Sequence, residues 1–419
     1  FCAVSPAIIR LLRAKWVLVI AWACHSLYTF SNFYPTYPTL VTSSLLLGVV
    51  AGPMWTAQGL YISASGITYA QDKQIELHAA LSRLNGIFFA AYESTQVTGN
   101  LIASIVFMRD TYNETILHSP DRICGADSCP GGLNQTHHIE QPEKRIVYTL
   151  LGIFLACNLV ALILSIVAMP HLPRCQEAST EAVTKSLTSC LTMVLEPRML
   201  LLLPFFMAQA MNSGILTSKY TDSFVSCSVG VQWVGYVMAA FGGLTAVLAV
   251  TLNYAAKYIS RRILFPAAAV ADMAWVFAMV LWDPKGESVG MFFILPVVSG
   301  FAEAIFQAQF YSLVAIVFSK QMSGAFAIYH GSKAAAFTLT FVLARFLCLR
   351  DLLYVALGLS LVGLAGYVTV EIWLAHDRKK AEKQVLPDPV QNNGDVTHHE
   401  KGATYSGKDV AWVKDSTDF

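Results

Sequence analysis

Residues 289–318 read VGMFFILPVVSGFAEAIFQAQFYSLVAIVF, and Glu303 is the only formally charged residue among them. An apolar run of this length spans the ~30 Å hydrocarbon core of a bilayer when wound as a helix rising about 1.5 Å per residue. A soluble surface helix of the same length would carry a charged, water-facing side, and one carboxylate with a narrow stripe of neutral polar groups does not supply it. The rest of the chain agrees. Of 419 residues 55% are hydrophobic and only 13% charged, against roughly a quarter charged in soluble domains. The charges also cluster, with 15 after residue 375 and 10 between 109 and 145. What remains is too sparse to solvate a globular surface. A soluble enzyme, a nucleic-acid binder and a disordered scaffold are excluded, and the fold class expected is an all-α, polytopic membrane protein.

Ten apolar segments carry that expectation: 16–31, 39–64, 84–108, 146–169, 199–217, 231–256, 263–282, 289–318, 324–347 and 352–374. A shorter run ends at Ile9, too short to cross and without the basic flank of a signal peptide. With Phe1 in place of a Met, the chain reads as truncated at its N-terminus and as starting inside a helix. One set of connecting loops holds 16 Lys and Arg and the alternate set seven. The richer set is cytosolic by the positive-inside rule, and with it the C-terminus. Both glycosylation sequons, at Asn113 and Asn134, fall in the 109–145 loop on the other side. Cys124 and Cys129 in that loop are spaced to close a small disulfide ring in an oxidising compartment. These features put the protein on the secretory route, with the plasma membrane the expected destination and an endomembrane the alternative.

The basic loops Arg10, Arg13, Lys15 and Lys257, Arg261, Arg262 are separated by six spans. That separation suits two parallel six-helix repeats and hence twelve helices in a complete chain. On this reading the halves are 1–169 and 199–375, joined by a central cytosolic loop at 170–198 and followed by a disordered tail from 376. No phosphate-cradling Gly loop, zinc signature or nucleophile elbow is present, and His137-His138 and His398-His399 lack metal-ligand spacing. Neither enzyme chemistry, cofactor nor metal is expected.

Polar residues inside the spans are the functional candidates, since a charge at mid-bilayer costs at least about 2.5–3.5 kcal/mol. Ser299, Glu303, Gln307 and Tyr311 recur every four residues and share one helix face. Ser82, Asn85, Phe89, Glu93, Gln96 and Asn100 form a second stripe at three- and four-residue steps. His330 and Lys333 follow the short 319–323 loop, which places Lys333 to approach Glu303. The expected cavity or ion site is therefore Glu303, Gln307, Glu93 and Lys333. Trp55 and Gln58 could face it, and Asp272 stands as a buried charge without an obvious partner. The competing reading is that these groups simply hydrogen-bond helix to helix.

Several strings resemble the Unc-93-like family of the major facilitator superfamily, nearest its homologue A branch. They include Pro53-Met-Trp55-Thr-Ala-Gln58-Gly-Leu-Tyr61, Cys124-Gly-Ala-Asp-Ser-Cys129, Val147-Tyr148-Thr-Leu-Leu-Gly152, Gly230-Val-Gln232-Trp-Val-Gly235-Tyr236-Val-Met238 and Ala302-Glu303-Ala304 with Gln307 and Gln309. The resemblance covers roughly residues 1–375. It implies the major facilitator fold and a non-enzymatic regulator or accessory subunit of an ion channel, such as a two-pore-domain potassium channel. Two alternatives stay open: a transporter of a small solute or cation, and a trafficking escort for membrane receptors. The basic loops resemble weakened copies of the superfamily's loop motif, lacking its Asp and Gly, with Ile9, Leu12, Ala256 and Ser260 near the basic residues. The acidic partner that would latch the halves is therefore expected to be missing.

Overall fold

A computed structural model describes residues 5–107, 123–130, 144–169, 192–255 and 259–385. Ten long helices account for most of these: α1 (Ser5–Ser31), α2 (Tyr37–Lys73), α3 (Leu77–Phe107), α4 (Lys144–Val167), α5 (Pro197–Ile215), α6 (Gln232–Ala255), α7 (Arg261–Leu281), α8 (Ile294–Val317), α9 (Met322–Leu343) and α10 (Leu349–Val385). No strand occurs among the described residues. Each expected segment falls on one of the helices. Seven helices are long and apolar enough to cross a membrane, so the protein is an integral membrane protein. Among the described residues α1, α3 and α9 fall outside that group; they carry the first basic loop, the Glu93 stripe and the His330–Lys333 pair, which dilute their apolar character.

Helices α1–α4 pack on one another and α5–α10 pack on one another. The two groups meet mainly along α3 and α6, with further contact of α2 on α9 and α3 on α8. The α3/α6 seam is close because Gly235 and Gly242 lie on it: a Cβ at Gly242 would stand 2.7 Å from Gln96 Cβ, and one at Gly235 would overlap Ser104 Oγ. The largest buried cluster lies mainly within α5–α10 and reaches Leu81 and Phe89 of α3; at its centre Phe205, Phe265, Phe306 and Phe310 interleave, with ring centroids 5.1–6.4 Å apart. Such geometries suit the edge-to-face and offset preferences of aromatic quadrupoles.

Local chemistry sets the breaks. α1 is interrupted at Arg13 (φ 64°, ψ 150°), inside the first basic loop, so the short leading run and the first span are two helical pieces meeting at a corner. Thr36 caps α2 through a reciprocal pair with Thr39. α5 does not stop where expected. It continues through Leu216–Ser226 with π-helical winding, which places Lys219 inside a helix rather than in a loop. Hydroxyls make this extension tolerable: Thr217 Oγ1 and Ser218 Oγ donate back to the carbonyls of Ser213 (3.0 Å) and Gly214 (2.6 Å). α10 likewise passes the expected exit at 375 and stays helical to Val385, with Arg198 Nη2 bonded to Asp377 Oδ2 at 2.7 Å.

The expected Cys124–Cys129 ring does not form. Cys124 is bonded to Cys227 at the end of the π-helical extension, and Cys129 to Cys348 just before α10 (Cα–Cα 5.7 and 4.1 Å). The cause is docking of the intervening turn, Gly125–Asp127, onto the α5–α10 group. Gly125 (φ 86°) lies against Pro284, Leu349 N–H donates to Ser128 O at 2.9 Å, and Arg350 pairs with Asp127 at 2.8 Å. Sequence spacing showed only the near partner; the fold presents two distant ones. Asn113, Asn134 and the 376–419 tail beyond Val385 lie outside the described residues, as does the central loop up to 191.

Candidate functional site

The expected face of α8 is intact: Ser299, Glu303, Gln307 and Tyr311 are all buried. Gln307 sits at its centre. Its Nε2 donates to Glu303 Oε1 one turn back (2.8 Å) and to Glu93 Oε1 on α3 (2.7 Å). Glu303 Oε2 in turn accepts from Gln209 Nε2 of α5 at 2.5 Å. A chain of four polar side chains thus crosses from one helical group to the other. One turn further along α8, Tyr311 OH donates to Gln58 Oε1 of α2 (3.0 Å) and lies 3.1 Å from His330 Nε2 of α9. The Tyr311 hydroxyl thus links Gln58 of α2 to His330 of α9. Trp55 stacks on His330, with centroids 5.9 Å apart.

Of the four residues expected to form the site, Glu303, Gln307 and Glu93 are brought together. Lys333 is not paired with Glu303. The two amides of Gln209 and Gln307 occupy both Glu303 oxygens, and the Lys333 ammonium instead lies over the Tyr329 ring, 5.5 Å from its centroid. It remains in electrostatic range of both carboxylates. Such a cation–π seat on an aromatic face suits an ammonium held off water.

Gln209 was missed in the sequence, although it stands with Asn212 as a polar pair three residues apart in an apolar run. Asn212 supplies the partner that Asp272 lacked. Its Nδ2 donates to Asp272 Oδ2 (2.6 Å) and to Ser360 Oγ (3.1 Å), and Trp275 Nε1 donates to Asp272 Oδ1 (2.8 Å). Asp272 therefore belongs to a separate group inside α5–α10.

Several buried atoms of the chain lack a protein partner: Glu93 Oε2, Gln209 Oε1, Gln307 Oε1 and Gln58 Nε2. A lone polar atom in an apolar surround costs roughly 1–3 kcal/mol, so each of these atoms calls for a partner from outside the protein, water or solute.

The basic loops differ from each other. Arg261 Nε bonds Glu371 Oε1 on α10 at 2.8 Å, Arg262 approaches Oε2 at 3.5 Å, and Tyr367 OH donates to the same carboxylate at 3.1 Å. The acidic partner expected to be missing is thus supplied by Glu371, from the last helix rather than from within the loop motif. It ties α7 to α10 inside one helical group, not one group to the other. The corresponding loop at Arg13 and Lys15 shows only the Arg13 corner and a buried Lys15; the Arg10 side chain and Lys257 lie outside the described residues. No group of three or more His, Cys, Asp or Glu able to hold a metal occurs among the described residues.

Among the described residues, ten long helices in two groups around a buried polar seam define a polytopic helical membrane protein. Two solved structures share the fold: a variant of the E. coli fucose:proton symporter FucP, TM-score 0.58 at 14% identity over 88% of this chain and 87% of that one, and the major facilitator superfamily transporter FucP in its outward conformation, TM-score 0.59 at 12% identity over 88% and 86%. The family described as ion channel regulatory protein UNC-93 matches residues 1–370, and the chain belongs to that family. Protein unc-93 homolog A of Xenopus laevis is 32% identical over 93% of this chain and 86% of its own length, and the human homolog A 31% over 87% and 81%. The putative potassium channel regulatory protein unc-93 of Caenorhabditis elegans is 24% identical over 88% of this chain and 54% of its own.

Proposed function

We propose that the protein is a membrane-embedded accessory subunit that regulates an ion channel, a potassium channel as in the name of the worm relative. The observation that carries this reading is family membership over residues 1–370. On it the disulfide-bearing end faces outward and α10 ends in the cytosol. The ten helices are the spans of a twelve-helix scaffold, and the Glu93–Gln307–Glu303–Gln209 chain is its functional centre. The docked 123–130 segment supports a regulator over a rocking carrier, because it bonds the loop of one helical group to the other through Cys227 and Cys348.

A second reading is transport of a small solute or cation, with Glu303 as the coupling carboxylate. The likeness to a proton symporter fold favours it, together with carboxylates buried on the seam between helical groups. Voltage-clamp recording separates the two. A full-length protein is expressed alone and with a two-pore-domain potassium channel, with channel surface level measured in parallel. A change in channel current at constant surface level, with no current from the protein alone, is the expected result. A solute- or pH-dependent current from the protein alone, with the channel indifferent, sinks the regulatory reading.

A further inference from the structure

The partnerless atoms along the polar chain have a common character. Gln307 spends both amide hydrogens on Glu93 and Glu303, which fixes its orientation and leaves Oε1 over; Gln209 likewise points its nitrogen at Glu303 and leaves Oε1 over. Glu93 has Oε2 over. All three are acceptors, and their residues are more than nine-tenths buried, with exposures of 3% (Gln209), 8% (Gln307) and 2% (Glu93). The charge is unbalanced in the same sense. Two carboxylates share one bridging amide, and Lys333 is the ammonium in range of both. One negative charge is left without compensation where burying it is costly. Water could satisfy the lone oxygens but not the charge.

We propose that Glu93, Gln307, Gln209 and Glu303 form a binding site for one monovalent cation, a sodium ion or a proton, seated against Glu93 Oε2 and the two free amide oxygens. Hard oxygen donors suit a hard cation of either charge, and the single uncompensated negative charge favours a monovalent one over a divalent one. The other titratable groups nearby are Tyr92 on α3, Tyr311 on α8, and Tyr329, His330 and Lys333 on α9, with Asp272 of α7 in electrostatic range of Glu303. The inference rests on reading this chain of side chains as the functional centre. It does not need a channel partner, and its test contains none.

Full-length protein in nanodiscs is assayed for retention of radioactive sodium, with unlabelled NaCl or choline chloride as competitor, and for melting temperature in the same salts across about pH 5–8. The expected sodium result is saturable retention displaced by NaCl and not by choline. Glu93→Gln weakens it at least about tenfold, the usual minimum for losing a charged ligand, while Asp272→Asn leaves it in place. If sodium is not retained but the melting temperature responds to pH in the wild type and not in Glu93→Gln, the occupant is the proton. If neither salt nor pH separates wild type from Glu93→Gln, the proposal is overturned. Should Glu93→Gln fail to fold, Glu303→Gln and sodium competition on the wild type decide by the same criteria.

Discussion

At Gln307 one carboxamide nitrogen serves two carboxylates from different helices, 2.7 and 2.8 Å away. Hydrogen bonds to charged acceptors are worth about 1.5–3 kcal/mol each, more than the ~0.6 kcal/mol average of neutral intramembrane pairs. Gln307→Leu preserves bulk but withdraws both donors, and should lower stability by about 2–4 kcal/mol, read as a lower melting temperature in detergent. An unchanged melting temperature would mean that the carboxylates find other donors. Glu371, within α10, offers a parallel case. Glu371→Gln keeps the shape but removes the charge facing Arg261, which should cost about 1–3 kcal/mol, while Arg262→Gln, at the longer and more exposed contact, should cost under about 1 kcal/mol.

Glu303, Gln307 and Tyr311 were legible in the sequence because a four-residue repeat in an apolar helix has one physical meaning: a shared face. Glu93 was legible for the same reason. Gln209 and Glu371 were not: Gln209 pairs with Asn212 alone and repeats along no helix face, and Glu371 stands near the end of its apolar run, where a polar residue looks like an ordinary flank. Lys333 was misassigned to Glu303 because depth along a helix says nothing of competition, and two amides reach that carboxylate first.

Among the helices, the α3/α6 pairing is the most demanding. Gly235→Ala and Gly242→Ala place a methyl group where Ser104 and Gln96 already stand, and overpacking of this kind costs about 1–3 kcal/mol. A Cβ at Gly48 on α2 would meet nothing within 4 Å, so Gly48→Ala should be neutral or gain up to about 1 kcal/mol from helix propensity. Thermal melts of the three variants give the comparison; equal effects would contradict the close seam. Helix existence was readable from hydropathy throughout, whereas two ends were not. The Thr217–Ser218–Lys219 stretch reads as a loop, yet its hydroxyls close on backbone carbonyls and carry the helix on. Past residue 375 the charges read as a solvated tail, but Asp377 finds Arg198 and the winding persists.

For the molecule as one body, the disulfides join the 123–130 segment of one helical group to two points on the other. A protease site inserted between residues 170 and 191 should cut the chain into two pieces that migrate together without reductant and separate with it. Peptide mapping should recover Cys124 with Cys227 and Cys129 with Cys348. A Cys124–Cys129 peptide, with pieces that separate before reduction, would refute the pairing. No spacing rule could have found it, because local separation favours the near cysteine and only the docked turn overrules it.

The same pairing orders events during synthesis. Cys124 and Cys129 enter the oxidising compartment together, a few residues apart, while their partners lie 103 and 219 residues downstream. Cys227 is delivered with the π-helical end of α5, but Cys348 arrives only after α9 has been made. Until then Cys129 carries either a bare thiol or a wrong bond. Quality-control machinery that inspects thiols can therefore tell a finished molecule from one still short of its last helix.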